Sequence, residues 1–260
     1  MRGRSLTAAS FLLIHIPHSS TAVPEDVRRG ILLTDSELAQ EILLIADLHT
    51  DALFELDGAA RIRNEYCRLV FDPERFRDDD VEPMARFGMG AIYVSTVDGR
   101  PMRVLSPGDR EALMGRFYDP YHAALEKAVD GILAQNGKCL IVDGHSFSSR
   151  PLPFEKDQSP NRPDICIGTD DFHTPETLTA QIEGYIARQG MTMKCNSPFA
   201  GTITPMKHFR RDRHVQSVMI EVNRRLYMNE DTGEKLAEFE RVRSFIHGLL
   251  EIMTRLTTSV

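Results

Sequence analysis

Three short segments place histidine and carboxylate side chains directly after apolar runs. The pairs that stand out are His15 and His18 in LLIHIPHSS, Asp47 and Asp51 around a histidine in ADLHTD, and Asp143 with His145 in VDGHS. Imidazole and carboxylate groups are ligands that suit Zn²⁺. The sequence contains no H-E-x-x-H motif, so the segments would have to meet in the fold. Together they predict a metal site assembled from distant parts of the chain.

Each segment also has an ordinary structural explanation. A histidine at the end of a strand is more often exposed or hydrogen-bonded than a ligand, and an aspartate before a turn commonly bonds its own backbone. Glu221 in SVMIEVN raises the same choice, because a carboxylate in a buried strand is costly unless it is paired or functional. It either pairs with a nearby arginine or acts as a general base with a raised pKa.

Two further features favour structural explanations. The segment CRLVFDPERFRDDD surrounds Asp72 with arginines, which is typical of a solvated charge cluster or a salt-bridge network. His208, in a basic stretch, is expected to be exposed, and His122 is expected to lie on a helix face.

Composition limits the function classes. The 260 residues carry a formal charge of -7, which argues against a nucleic-acid surface but leaves room for an anionic substrate in a cleft lined by arginines. No apolar run approaches the roughly 18–20 residues that span a bilayer, and the apolar run near the start is shorter than a signal peptide needs. We expect a cytoplasmic protein with a ragged N-terminus (1–10) and a single domain (11–260).

The chain alternates strand-like and helical segments, which indicates an α/β fold. We predict strands over 11–16, 91–97, 139–145, 191–196 and 217–223, and helices over 37–46, 107–135, 174–190 and 231–256. A loop is predicted over 146–173. Because open α/β sheets carry their sites beyond the carboxyl ends of the strands, the histidine and carboxylate segments are expected to meet there.

The order of the motifs adds a family resemblance. PHSS, DLHTD, CRLVFDPERF, DGHSFSS, DICIGT, NSPFAGTITP and IEVNRRLYM follow one another over about 12–228, and this series resembles the N-formylglutamate amidohydrolase (N-formylglutamate deformylase) family. The resemblance implies a three-layer fold with a mixed, mainly parallel sheet between helices, similar to zinc carboxypeptidases and phosphorylase/hydrolase-like folds. It also implies hydrolysis of N-formyl-L-glutamate or a related N-acyl amino acid, late in histidine breakdown.

The resemblance further implies one Zn²⁺ per chain, or another divalent transition metal, and a role for each of several residues. The metal ligands would be His18, Asp47 and His145, with Asp51 as the alternative carboxylate. Glu221 would be the general base that activates water. The substrate-binding residues would be Arg224 first, then Arg68 and Asn196.

Two other functions stay open from the sequence. One is a metallo-peptidase or amidase that acts on a peptide-like substrate in a cleft open at both sides. The other is a metal-free α/β protein that binds a carboxylate ligand through its arginines without catalysis. For the leading hypothesis the expected partner is a small anionic N-acyl amino acid, with no nucleic acid, no membrane and a homodimer as an open question.

Overall fold

A six-stranded mixed sheet forms the centre of the fold. The computed structural model describes residues 11–255, so the predicted ragged terminus (1–10) lies outside the described residues. The strands, in chain order, are β1 (Leu12–Ile16), β2 (Ala60–Arg63), β3 (Cys139–Phe147), β4 (Ile165–Gly168), β5 (Met193–Cys195) and β6 (Val215–Asn223). Their order across the sheet is β2-β1-β3-β6-β4-β5.

The strand directions confirm the predicted fold class. Neighbouring strands from β2 through β1 and β3 to β6 are parallel. β4 is antiparallel to β6 and parallel to β5. The sheet is therefore mixed and mainly parallel, and β1, β3 and β4 are buried along their whole length.

Helices flank this sheet. They are α1 (Glu25–Arg28), α2 (Asp35–Ile45), α3 (Thr50–Leu53), α4 (Pro107–Leu113), α5 (Asp119–Asn136), α6 (Glu176–Arg188) and α7 (Phe239–Arg255), with 3₁₀ turns over Ala85–Phe87 and Arg224–Leu226. A π-helical segment over Met114–Tyr118 joins α4 to α5. Pro120 lies in the first turn of α5, directly after this segment, where a proline's missing N–H group is tolerated.

Local sequence signals explain where two of these helices begin. Thr34 accepts a hydrogen bond from the Glu37 backbone while the Glu37 side chain bonds back, and Ser106 and Asp109 repeat the arrangement at α4. Such capping boxes satisfy backbone donors that the first helical turn leaves free. Within residues 11–255, no helix is long and apolar enough to cross a membrane.

Some predicted elements were wrong. The predicted strand over 91–97 is an irregular buried segment whose only strand-like contact among the described residues is a bridge from Ser95 to Pro101. Its apolar residues pack into the core without pairing with the sheet, and periodicity alone cannot tell these cases apart. The predicted loop over 146–173 contains β4, and the last helix begins at Phe239 rather than at 231.

The alignment of β1, β3 and β6 positions the candidate site. His145, near the end of β3, is in register with Glu221 on β6, and His18 follows the end of β1 by two residues. A Cβ atom at Gly144 would lie only 2.8 Å from the Phe54 ring. Glycine at this position therefore allows Phe54 to pack directly against the backbone beside His145.

Candidate active site

Three of the predicted ligand side chains meet in the structure. Oδ2 of Asp47 lies 3.1 Å from Nδ1 of His145 and 3.5 Å from Nδ1 of His18. One ligand atom of each residue lies within 4.8 Å of the other two, and all three residues are buried. The arrangement offers two imidazole nitrogens and one carboxylate oxygen, which is a donor set that suits a catalytic zinc site with an open position.

Each of the two histidines is held from its other ring nitrogen by a buried aspartate. Nε2 of His18 donates to Oδ1 of Asp72 at 2.8 Å, and Nε2 of His145 donates to Oδ1 of Asp143 at 2.9 Å. Metal-binding histidines commonly donate their second N–H group to a carboxylate, which fixes the tautomer and the ring orientation. The two contacts leave both Nδ1 atoms directed at Asp47.

The protonation of His18 and Asp47 fits a metal ion, whereas His145 holds a proton that a metal would displace. Burial opposes the charge of His145, but Asp143 and Asp47 raise its pKa well above the usual value. Burial lowers the pKa of His18, with a further contribution from Arg68, so its ring is neutral at pH 7. Nδ1 of His18 has no hydrogen-bond partner among the described residues. Burial opposes the charge of Asp47, but the hydrogen bond from His145 and the nearby His18 and Arg224 side chains hold its pKa well below the usual range. A neutral imidazole and a charged carboxylate are the forms that bind zinc.

Asp51, the alternative carboxylate, lies elsewhere. Its Oδ2 pairs with Arg63 at 3.1 Å at the end of β2, and its side chain is one-third exposed. The structure therefore brings Asp47, and not Asp51, to the two histidines.

A second group of possible ligands, formed by His15, Glu74 and Asp143, adjoins the first. Nδ1 of His15 donates to Oδ1 of Asp143 at 2.8 Å, and the Tyr121 hydroxyl bonds Nε2 of His15 at 2.7 Å. The same Oδ1 also accepts from His145. We interpret this group as a hydrogen-bond chain that runs from α5 to the His145 ring.

Glu221 lies beside the cluster with its carboxyl group buried. Its Oε2 atom has no hydrogen-bond partner among the described residues. Burial raises the pKa of Glu221 to about 7. A carboxyl group that changes protonation near neutral pH is suited to general acid–base catalysis.

The cluster opens into a cavity of about 1010 Å³ that is lined by four arginines. Three of them are already bonded to protein groups. Arg224 contacts Asp47, Ser146 and the Leu44 carbonyl. Arg68 binds Oδ2 of Asp72 through two nitrogens.

The third bonded arginine is Arg77, and the fourth arginine of the cavity, Arg75, differs from the other three. Arg77 is paired with Asp119 and Glu111 near the surface. Nε of Arg75 is buried without a hydrogen-bond partner, and its nearest carboxylate oxygen, on Asp72, is 3.8 Å away. Among the described residues, none accepts a hydrogen bond from the Arg75 guanidinium, so this cation is the one available to a ligand.

Asn196, predicted as a substrate residue, is not among the residues that line the cavity. It is exposed, and its amide bonds the backbone and the hydroxyl group of Thr169. The positive φ of 54° at Asn196 is one that asparagine tolerates better than most residues. Its local role is to hold the turn after β5.

The expected solvated charge cluster is buried. Asp72 is completely enclosed and binds His18, Arg68 and the Tyr93 hydroxyl. The prediction of a salt-bridge network was right, but its place beside the metal-type cluster could not be read from local spacing.

Two histidines also differ from expectation. His208 is buried and bonds Asp130, so the prediction of exposure was wrong. His122 lies on α5 as predicted, but it lines the cavity with a buried, unpartnered Nε2. Burial lowers the pKa of His122 to about 4, so its ring is neutral.

Fold and site together define an α/β protein with a candidate metal centre beyond the carboxyl ends of parallel strands. The sequence profile of the N-formylglutamate amidohydrolase family matches residues 10–228. The chain belongs to this family.

Individual relatives agree with the family match. The chain is 27% identical over 229 residues to an N-formylglutamate deformylase of Pseudomonas putida, covering 84% of this chain and 82% of the relative. It is 27% identical over 253 residues to the deformylase of Pseudomonas aeruginosa, covering 92% and 91%. The crystal structure of N-formylglutamate amidohydrolase from Ralstonia eutropha superposes with a TM-score of 0.82 at 26% identity, covering 95% of this chain and 94% of that one.

The aspartate behind His145 generates a prediction about metal affinity. Replacing Asp143 by Asn removes the charge that orients the ring, so we expect zinc to bind about 10–100-fold more weakly. Competition against a chromophoric chelator measures this change. The control is Asp51→Asn, which should leave the affinity unchanged because Asp51 pairs with Arg63 away from the cluster. Unchanged affinity in Asp143→Asn, or an equal loss in the control, would contradict the assignment of ligands.

Glu221 generates a prediction about the metal-free protein. Its pKa is about 7 in the folded chain against an ordinary value of 4.5, so the folded state holds the proton more tightly than the unfolded state. The free energy of unfolding therefore falls as pH rises from about 4.5 to about 7. Gln carries no such proton, so the free energy of unfolding of Glu221→Gln should not fall over this range. Relative to wild type, the variant should therefore gain up to about 3 kcal/mol of stability between low pH and pH 8.

Urea unfolding at pH 5 and pH 8 in the presence of a chelator measures the difference. Glu183→Gln, at an exposed position of α6, is the control for the loss of a carboxyl group at the surface. A Glu221→Gln effect equal at both pH values would show that burial does not shift the pKa of Glu221.

Proposed function

We propose that this protein is a zinc-dependent amidohydrolase that cleaves N-formyl-L-glutamate or a related N-acyl amino acid into a carboxylic acid and the free amino acid. The observation that carries the proposal is the convergence of His18, Asp47 and His145 beside a buried Glu221. The family membership and the names of the relatives support the reaction class. A cytoplasmic location and a place late in histidine breakdown are further proposals from the family resemblance.

The residues fit a metal ion that the fold family implies. His18, Asp47 and His145 would hold it, while Asp72 and Asp143 keep the two imidazole rings oriented. Zinc in such a site supplies Lewis acidity at the amide carbonyl and lowers the pKa of water towards about 7.

Glu221 moves the proton in this mechanism. Its unpartnered Oε2 and its pKa of about 7 allow it to accept a proton from the attacking water and to release that proton to the departing amine. The oxygen of the water forms a bond to the acyl carbon, and the carbon–nitrogen bond breaks. The acid and the amino acid then leave the open side of the cavity.

Substrate recognition requires a cation for the carboxylate of the amino acid. We predicted Arg224 first and Arg68 second, and both line the cavity. Their guanidinium groups already bind Asp47 and Asp72, respectively, which suits them to position these aspartates. We propose Arg75 as the residue that binds the substrate carboxylate, because its guanidinium has no acceptor within residues 11–255 and because arginine binds carboxylates through two parallel bonds.

The main test compares metal content and formate release in three proteins. Wild type purified without a nickel column should hold about one zinc per chain by mass spectrometry and release formate from N-formyl-L-glutamate. His145→Ala should lose the metal. Glu221→Gln should keep it and lose about 10²–10⁴-fold in kcat, as expected for a general base. Zinc-loaded wild type that hydrolyses neither N-formylglutamate nor N-acetylglutamate would refute the proposed function.

A second test concerns Arg75. Arg75→Met should lower kcat/KM for N-formyl-L-glutamate by about 10–100-fold, since hydrogen bonds to charged groups contribute about 1.5–3 kcal/mol. Arg77→Met is the matched control, because Arg77 lines the same cavity but is paired with Glu111 and Asp119. Steady-state kinetics of both variants measure the effect. An equal loss in the two variants would mean that Arg75 contributes only to the general positive potential.

A further inference from the structure

The cavity is larger than N-formylglutamate requires. Its volume is about 1010 Å³, and cavities of roughly 300–1,000 Å³ hold ligands of drug size. The formyl group is the smallest acyl group, and one glutamate fills only a small part of such a space. The cavity therefore has room for a substantial additional group on one side of the amide.

The mouth of the cavity shows which chemistry that group would have. Seven large apolar side chains are exposed among residues 11–255, and four of them, Leu44, Phe76, Val81 and Met206, line this cavity. Val81 is 61% exposed and Met206 is 62% exposed. Single exposed apolar residues are ordinary, but a group of them around one opening marks a surface that binds apolar ligands.

The cavity also extends in one direction along α5. Tyr121, near the start of this helix, contacts the His15 ring next to the metal-type cluster. His122 and Asp130 both line the cavity, and Asp130 lies eight residues further along, or about 12 Å. Lys207 and His208 bind Asp130 and so hold the segment that carries Met206 against this helix. The distance from the cluster to the mouth equals the length of several methylene groups, and Glu126 and Lys127 add charged side chains to the apolar ones that line this part of the cavity.

The inner end indicates which side of the amide carries the apolar group. Arg75 is half-buried, with Nε 3.8 Å from Asp72, which in turn binds His18, and a free carboxylate is the ligand that suits the Arg75 guanidinium. An amino acid on the amine side of the scissile amide supplies this carboxylate, whether the acyl side is a simple acyl group or the rest of a peptide cleaved at its last bond. The amine side is then a free amino acid, and the extension belongs to the acyl side, where the exposed apolar residues at the mouth favour an aliphatic chain.

We propose that the site also hydrolyses N-acyl amino acids whose acyl group is a medium-length apolar chain, and that this chain lies between α5 and the exposed residues Phe76, Val81 and Met206. The inference rests on the proposed amidohydrolase function. The reaction balances in the same way: water adds to the acyl carbon, the carbon–nitrogen bond breaks, and the proton passes to the amine. The products are an aliphatic carboxylate and the amino acid.

Binding to zinc-loaded Glu221→Gln tests the inference without turnover. Calorimetry compares N-formyl-, N-hexanoyl- and N-octanoyl-L-glutamate. Each fully buried methylene favours binding by roughly three- to fourfold, so even partial burial of the chain should make the octanoyl compound bind at least about tenfold more tightly than the formyl compound. Equal or weaker binding of the octanoyl compound would overturn the inference. If Glu221→Gln fails to hold zinc, kcat/KM of wild type on the same series gives the same comparison.

Substitutions at the mouth test where the chain lies. Val81→Asp and Met206→Asp should each reduce the octanoyl-to-formyl affinity ratio by about tenfold, because a charge would lie against the chain. Val104→Asp is the matched control, since Val104 is 84% exposed and is not among the lining residues. A ratio that both mouth variants leave unchanged would contradict the proposed position.

Adding a peptide ligand to the comparison distinguishes this inference from the peptidase alternative. The same set of measurements also distinguishes failure of the inference from failure of the proposed function. Tighter binding of N-formyl-L-glutamyl-L-leucine than of N-octanoyl-L-glutamate would assign the cavity to peptides and overturn the inference. Hydrolysis of N-formylglutamate by wild type with no gain from longer acyl chains would overturn only the inference. Failure of wild type to hydrolyse any N-acylglutamate, with binding intact, would overturn the proposed function instead.

Discussion

Buried negative charge at the carboxyl ends of β1 and β3 is the constraint on which the site depends. Asp47, Asp72 and Asp143 are each at most 2% exposed, and an unpaired carboxylate at such depth would be very unfavourable. Each one is therefore bound by an imidazole ring, and two of them also by an arginine. The hydrogen bonds that offset the cost of burying these carboxylates also fix the orientation of the histidine rings. The same contacts therefore position the side chains that can hold a metal.

Two further buried carboxyl groups, those of Glu74 and Glu221, lie at the cluster. Burial favours their neutral forms instead of requiring a cationic partner. Burial raises the pKa of Glu74 well above its usual value, and burial raises that of Glu221 to about 7. Both groups are adjacent to aspartates that remain ionised, and like charges at short range favour the neutral form of one partner. The site thus divides its carboxyl groups into charged residues that orient cations and residues with raised pKa values, of which Glu221 can gain or lose a proton near neutral pH. Such divergent pKa values are typical of sites that carry out acid–base chemistry.

The sequence predicted the parts of this arrangement that local pattern controls. The apolar runs at β1, β3 and β6 identified the central strands, and the polar residues at their ends identified His18 and His145. Contacts between distant segments were less accessible. Asp72 lies 54 residues from His18, and Arg75 is distinguished only by the absence of a partner that other arginines possess. The choice between Asp47 and Asp51 depended on whether the turn before α3 or α3 itself faces the histidines. Local pattern was also misleading in one place: the apolar run over 91–97 predicted a strand, but it packs in the core without joining the sheet.

The inner end and the mouth of the cavity are under different physical control. At the inner end each side chain has several charged partners, so a substitution changes a network, and few alternatives satisfy all of its bonds. At the mouth, Val81 and Met206 are mostly in water, and a change there costs the folded state little. Substitutions at the mouth are therefore compatible with an unchanged fold. Under the proposed function, the buried ion pairs would determine the type of reaction, whereas a few exposed residues that contribute little to stability would determine the length and polarity of the acyl group.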